Sequence, residues 1–322
     1  MPTTHGIHHV TAVTAHAKEN VDFYTKVLGL RLVKKTVNQD DVSAYHLFYA
    51  DAVGSPGTDM TFFDWKHAGA RQESSDQISR TYFRVNDPEA IKYWDGRLKD
   101  NGIESVREVM LDGKSCLLFE DREGQRLGLV DDLGAEFEGK VWIGSDQSSA
   151  VPEQFAIKGF FAVELAVQDI ESVDSMLVDV LGWEQAGEYD QPESGRKARK
   201  YAMDGGGPGR EVHVTEDQSD SLRMSLAGTV HHVAFRVKDE AEMLEWIYRL
   251  EETGVPHSGE VERFYFKSLY FRITPGILFE IATDGPGFSA DEDIERLGEK
   301  LALPPFLEPR RAEIEAGLDP IL

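Results

Sequence analysis

The sequence predicts an α+β protein of four tandem βαβββ modules arranged as two pseudo-symmetric halves. Three observations carry this reading. The strand opening Gly6-Ile7-His8-His9-Val10 returns near the other end of the chain as Thr229-Val230-His231-His232-Val233. Each opening leads into an amphipathic helix and then a run of short strands, and the same order occurs twice more between them. The stretch from Leu133 to Ile157, rich in Gly, Ser and Gln with Pro152, reads as the joint between halves.

The first unit runs HHVTAVTA, the helix KENVDFYTKVLGL, then RLVKKTVN, YHLFYAD and TDMTFFDW. The second opens with SRTYFRVND, continues through the helix PEAIKYWDGRLKDNG, and gives VREVMLDG, KSCLLFED and RLGLVDD. The third is FFAVELAVQD, helix IESVDSMLVDVLGW, EQAGEYD, RKYAMD and REVHVTED. The fourth is HHVAFRVKD, helix EAEMLEWIYRLEETG, VERFYFKSLYFRIT and ILFEIAT. Apolar spacing such as Val21, Tyr24 and Leu28, or Met243, Ile247 and Leu250, marks the helices, and Gly29 and Gly254 close them. Alternating β-branched and aromatic residues bounded by Gly and Asp mark the strands. The expected domains are 1–135 (modules one and two) and 158–285 (modules three and four), joined by a linker at 136–157. The extension 286–322 is expected to hold one helix, Pro304-Pro305 and a short final helix lying over the body.

Composition narrows the function classes. The chain carries 34 Lys and Arg against 58 Asp and Glu, a net charge of −24, which repels nucleic acid and anionic membranes. The bland meaning of that charge is solubility. A single cysteine, Cys116, excludes a disulfide framework and a cysteine metal cluster, and suits a reducing compartment. The N-terminus MPTTHGIHHV has no signal-peptide pattern, and no apolar run is long enough for a membrane span. These features predict a cytoplasmic protein. The sequence does not set the oligomeric state and leaves a homo-oligomer open.

The chemistry concentrates in three places. Two histidine pairs stand on apolar strands, and Glu280 stands inside Gly276-Ile277-Leu278-Phe279-Glu280-Ile281. A lone histidine on an apolar strand is usually a hydrogen-bonded core residue. The same pair in matched repeat positions, with a buried carboxylate in a matching strand, points instead to a metal. An unpaired carboxylate there would cost several kcal/mol, so it needs a cation, either a divalent ion or Arg263 or Arg272. Two histidines and one carboxylate suggest a facial triad of the non-haem Fe(II) type, with coordination positions left open. Aligning the repeats puts Arg80 and Ala162 opposite His9 and His232, and puts Thr61, Gly128 and His213 opposite Glu280. Side chains alternate along a strand, so one member of each histidine pair faces inward, and periodicity does not say which.

The motifs GIHHVTAVT, FYTKVLGLRLVKKTVNQDD, YHLFYAD, GSPGTDMTFF, RFYFKSLYFRITPGILFEIATDGPGF and LGEKLALPPF resemble the vicinal oxygen chelate superfamily. Within it they resemble ring-cleaving dioxygenases of the hydroquinone type, over essentially the whole chain. The resemblance implies curved mixed sheets with a metal cavity between the first and fourth modules. It implies His9, His232 and Glu280 as ligands to Fe(II), with Mn(II) as the other metal that suits them. It places His8 and His231 beside the pocket or behind the ligands, and Arg263 and Tyr270 near the substrate. Under it, three protein ligands leave room for a phenolate oxygen and O₂ together, so the expected partners are a small aromatic molecule and O₂. His231 is then expected to shuttle protons, Tyr270 to hold an oxygen of the substrate or of O₂, and Arg263 to stabilise negative charge.

Two other readings use the same residues. A glyoxalase-like metal lyase or isomerase usually needs a fourth protein ligand, and Thr61 at the first module's closing position argues against one. A non-catalytic protein that sequesters quinones or drugs would not need all three ligands. The remaining signals are structural: GGGPG (205–209) reads as a hairpin turn without the Lys-Ser/Thr of a phosphate loop. Trp65, Trp94, Trp183 and Trp246 read as packing, Cys116 as a buried thiol, and His213 as a core or second-pocket residue.

Overall fold

Strand pairing follows the repeat but joins modules from opposite halves of the chain. The computed structural model describes residues 1–144, 150–222 and 225–321, so residues 145–149 of the expected linker lie outside the described residues. The first module comprises β1 (Ile7–Thr14), α1 (Ala17–Asp22), β2 (Arg31–Val37), β3 (Tyr45–Ala50) and β4 (Asp59–Asp64). The second comprises β5 (Gln77–Val85), α2 (Pro88–Asp100), β6 (Arg107–Leu111), β7 (Lys114–Glu120) and β8 (Arg126–Asp131). The third comprises β9 (Phe160–Val167), α3 (Glu171–Ser175), β10 (Glu184–Asp190), β11 (Lys197–Ala202) and β12 (Glu211–Glu216). The fourth comprises β13 (Val230–Val237), α4 (Glu240–Glu252), β14 (His257–Glu262), β15 (Lys267–Arg272) and β16 (Leu278–Thr283).

These strands make two eight-stranded sheets, ordered β14-β15-β16-β13-β1-β4-β3-β2 and β10-β11-β12-β9-β5-β8-β7-β6. The first sheet therefore joins modules four and one along an antiparallel β1–β13 seam, with Val10 opposite Val233 and Thr11 opposite His232. The second joins modules three and two along the β5–β9 seam. This pairing brings the two histidine-bearing strands side by side.

Alternation then sorts the side chains. Val10, Ala12, Val233 and Phe235 enter the main apolar core, which also buries Trp94 of α2 and Trp246 of α4. His9 and His232 alternate with them and face the other way. The even modules start their helices with side-chain caps: Asp87 accepts from Ala90 N at 2.8 Å, and Asp239 accepts from Ala241 N at 2.9 Å. The odd modules depart from a plain α-helix. α1 and α3 widen into π-helical turns at Phe23–Val27 and Met176–Val180, where Leu28 N reaches Phe23 O and Leu181 N reaches Met176 O, both at 3.0 Å. The expected glycine stop holds at Gly29, whose φ is +68°, and at Gly254, whose φ is +70°.

The first helix expected in the extension does not form. The segment makes only 3-10 turns, at Phe288–Ala290, Ile294–Arg296 and Glu308–Arg310, before the final helix α5 (Arg311–Gly317). Its groups are spent on module one instead: Ala302 N donates to Lys35 O at 2.9 Å, and Asp291 and Glu292 both hold Lys34. Gly298 makes the close approach feasible, with φ +75° and a would-be Cβ only 1.9 Å from Leu32 O. Gly298→Ala should therefore lift the extension off β2. Limited proteolysis should show earlier cleavage between 285 and 303, and chemical denaturation a loss of about 1–3 kcal/mol. An unchanged cleavage pattern would contradict this packing.

Candidate metal centre

Register confirms the repeat alignment. Ala234 pairs with Glu280, Thr11 with Thr61, Tyr82 with Gly128, and Glu164 with His213. Each is the residue two places after His232, His9, Arg80 or Ala162, so the four closing positions are equivalent in space.

In the first sheet the positions converge. His9, His232 and Glu280 are all buried and are, among the described residues, a group whose ligand atoms lie within 4.8 Å of one another. Glu280 Oε2 stands 3.0 Å from His232 Nε2 and 3.3 Å from His9 Nε2, and the two nitrogens are 3.3 Å apart. Adjacent ligands on one face of an octahedral ion lie about 3 Å apart when each bond is about 2.1 Å. The triangle fits such an ion.

Hydrogen bonding behind the triangle sets which atoms point inward. His8 Nε2 lies 3.2 Å from the Thr283 carbonyl, which only accepts, so His8 carries its proton there. Its Nδ1 then accepts from His9 Nδ1 at 2.9 Å, and His9 keeps the lone pair on Nε2 for the centre. His231 and His232 repeat the arrangement, Nδ1 to Nδ1 at 2.8 Å. Burial, and secondarily His9, hold the His8 pKa well below its ordinary value; burial and His232 push His231 down to about 3. Both remain neutral acceptors at neutral pH.

Glu280 Oε1 accepts from Ser268 Oγ at 2.5 Å, whereas Oε2 has no hydrogen-bond donor. Burial would raise its carboxyl pKa, but the facing imidazoles, His9 foremost, hold it well below the usual carboxylate range. His232 is lowered by burial, with Glu280 acting against that. Protonated, those imidazoles serve the carboxylate as counter-charge; with Nε2 unprotonated, as the hydrogen bonds behind them set it, an ionised carboxylate oxygen and two lone pairs face one point, and a cation has to take the protons' place. The arginines considered for that role serve elsewhere: Arg263 binds Asp40 through two bonds of 2.9 and 3.1 Å, and Arg272 donates to Pro275 O.

A cavity of about 450 Å³, counting its open mouth, adjoins His9 and His232. Phe48, Phe63, Tyr265 and Phe266 give it aromatic walls, and Asn38, Gln39, Asp40, Arg263 and Tyr270 give it a polar side. Tyr270 lies with its ring centroid 5.9 Å from that of His232, and its hydroxyl accepts from Arg263 Nε at 3.3 Å. Burial, then the charge of Glu280, push the Tyr270 pKa above its ordinary value, so its hydroxyl stays protonated. His8 and His231 do not line this cavity. They stand behind the ligands, and His231 packs against Phe63 and Trp65.

Sequence reasoning missed His46, Phe63, Phe266, Ser268 and Asp40. His46 is half-buried at the cavity wall with Nε2 3.0 Å from Thr61 Oγ1, and desolvation of its ring keeps its pKa well below normal. Thr61 also bonds Thr11 at 2.8 Å, so its hydroxyl is engaged and offers no fourth ligand. Strand alternation was the available signal: Phe266, Ser268 and Tyr270 share one face, as do His46 and Phe48.

The second sheet carries no such group among the described residues. Arg80 replaces the ligand histidine and donates to Leu127 O at 2.8 Å and to Glu193. Tyr82 lies over Gly128, where a Cβ would meet its ring at 2.5 Å, and donates to Glu164 at 2.9 Å. His213 sits between Tyr189 at 2.9 Å and Glu211 at 3.2 Å, a packed core residue. Cys116 is buried there, its thiol pushed up by burial.

Comparison with known proteins follows the same outline. A family model described as the Glyoxalase/Bleomycin resistance protein/Dioxygenase superfamily matches residues 6–129 and 159–283. The chain is 44% identical over 317 residues to the "Putative ring-cleaving dioxygenase MhqA" of Bacillus subtilis (strain 168), covering 98% of each. It is 31% identical over 330 residues to the "Chlorohydroquinone/hydroquinone 1,2-dioxygenase" of Sphingobium indicum, covering 98% of this chain and 97% of that one. A solved structure titled "putative dioxygenase" from Bacillus subtilis subsp. subtilis str. 168 superposes with a TM-score of 0.87 at 37% identity, covering 99% of this chain and 98% of that one.

Removing one donor should empty the centre without unfolding the sheet. Glu280→Gln keeps the side chain's shape and should weaken Mn(II) binding by about 100-fold or more, measured by electron paramagnetic resonance titration. Retention of wild-type affinity would show that the ion binds elsewhere.

Proposed function

The chain belongs to the glyoxalase/bleomycin resistance protein/dioxygenase superfamily, and we propose that it is an Fe(II)-dependent ring-cleaving dioxygenase acting on hydroquinone-type aromatic rings. The observation that carries this is the convergence of His9, His232 and Glu280 on one point, with both histidines lining an aromatic-walled cavity. The names of the full-length relatives support the same reaction class. Thr61, held by Thr11 and His46, disfavours the four-ligand lyase alternative.

The donor set suits Fe(II), and Mn(II) shares its preferences. When bound, the ion supplies open positions for a ring oxygen and O₂ and lets electrons pass between them. The chain's own residues do the rest. Phe63 and Phe266 flank the ligand imidazoles and present apolar faces to the cavity, with Phe266 5.1 Å from His9 between ring centroids.

Tyr270 is the best-placed hydrogen-bond donor. Its oxygen accepts from Arg263, which leaves its own proton directed to an oxygen of the substrate. Arg263, held by Asp40, fixes the position of the Tyr270 hydroxyl. His8 and His231 orient the ligand imidazoles and raise their basicity. Because neither lines the cavity, direct proton exchange with the ring falls to Tyr270 or His46 rather than to His231, the shuttle that sequence reasoning favoured. Described helices include none long and apolar enough to cross a membrane.

The test is oxygen uptake by protein reconstituted anaerobically with Fe(II). Hydroquinone should consume one O₂ per ring opened and yield a strongly absorbing semialdehyde. Tyr270→Phe should lower kcat by about 10- to 1000-fold while iron content stays at wild-type level. No uptake across hydroquinones and catechols, with iron stoichiometrically bound, would remove the proposal.

A further inference from the structure

The C-terminal extension meets the first sheet at the back of the aromatic cavity. Lys34 on β2 is fully buried and donates to Asp291 Oδ1 at 2.6 Å, to Phe288 O at 3.1 Å and to Glu292. The other Asp291 oxygen accepts from Tyr265 Oη at 2.8 Å. The Phe288 ring is thereby seated against Phe48, at 5.0 Å between centroids, and Tyr265, at 5.4 Å. Gly54 provides the socket: a Cβ there would come within 2.5 Å of Phe288 Cδ2. Phe48 and Tyr265 line the cavity, whereas Phe288 stands one layer behind them in the same buried cluster.

We propose that the extension is a specificity element of the ring pocket. In it Phe288 is a positioning residue, locked by Lys34 with Asp291 and Glu292, that fixes pocket depth by backing Phe48 and Tyr265. The inference rests on the reading that the cavity takes an aromatic ring. Close-packed walls do not retract when the space behind them is filled, and here the filler comes from beyond the shared modules, since the superfamily match ends at residue 283. A buried lysine with two carboxylates is a poor choice for stability alone, because desolvation consumes much of the attraction. It is a good choice for holding one segment in one place. Removing the Phe288 ring leaves a void into which Phe48 and Tyr265 can move, deepening the pocket without touching His9, His232 or Glu280.

The test compares two probes, hydroquinone and the two-ring 1,4-dihydroxynaphthalene, binding anaerobically to Mn(II)-loaded protein, followed by calorimetry. Wild type should prefer the single ring. Phe288→Ala should reduce that preference by about tenfold or more at unchanged Mn(II) stoichiometry, Phe288→Leu should fall between, and Asp291→Asn should shift the ratio in the same direction. If Phe288→Ala does not fold, the Leu and Asn variants carry the same expectation at smaller size. A merely structural extension would lower thermal stability and leave the ratio at the wild-type value, and that result overturns the proposal. Wild-type protein that holds Mn(II) but binds neither ring would instead remove the ring-cleavage reading.

Discussion

Glu280 is wholly buried on β16, and one of its oxygens faces two imidazole nitrogens at 3.0 and 3.3 Å with no donor of its own. In a low-dielectric interior that arrangement costs several kcal/mol unless a cation occupies the centre. Much of the surrounding structure serves this point. The β1–β13 seam brings the two ends of the chain together, Ser268 satisfies the other carboxylate oxygen, and His8 and His231 turn the ligand lone pairs inward. The cavity then inherits its chemistry from which donors are present and which are withheld, Thr61 above all.

Pseudo-symmetry explains why the described residues form such a centre in the first sheet and not in the second. Both sheets are built from the same module and share the same register at the closing position. In the second sheet Arg80 and its partner Glu193 bring charge that is already balanced, while Tyr82 occupies the concave space over Gly128. The duplicated scaffold thus gathers three metal-binding side chains in one sheet and balanced charge with aromatic packing at the equivalent positions of the other.

How much of this was legible follows from the kind of signal involved. The modules, their order and the matched places of His9 and His232 were readable because they repeat, an internal control that a lone histidine lacks, and Glu280 because it is a carboxylate inside an apolar strand. Which histidine of each pair faces the cavity was not readable from periodicity; it came from the family resemblance, and the geometry agrees. The 3-10 path of the extension escaped because it depends on tertiary partners, such as Lys34 for Asp291, that lie far away in sequence, and the π-helical turns in α1 and α3 escaped because apolar spacing does not separate an i→i−5 turn from an α-helix. Arg263 shows the same limit. Its carboxylate partner is Asp40, in the β2–β3 connection of module one, 223 positions away in sequence.

The most direct test of the account is an anomalous difference map, recorded at the iron edge, from crystals of the Fe(II)-loaded protein. One strong peak should lie within bonding distance of His9 Nε2, His232 Nε2 and Glu280 Oε2 together, and none in the second sheet. A peak bound by any other set of side chains, or no peak in protein that carries one iron per chain, would contradict it.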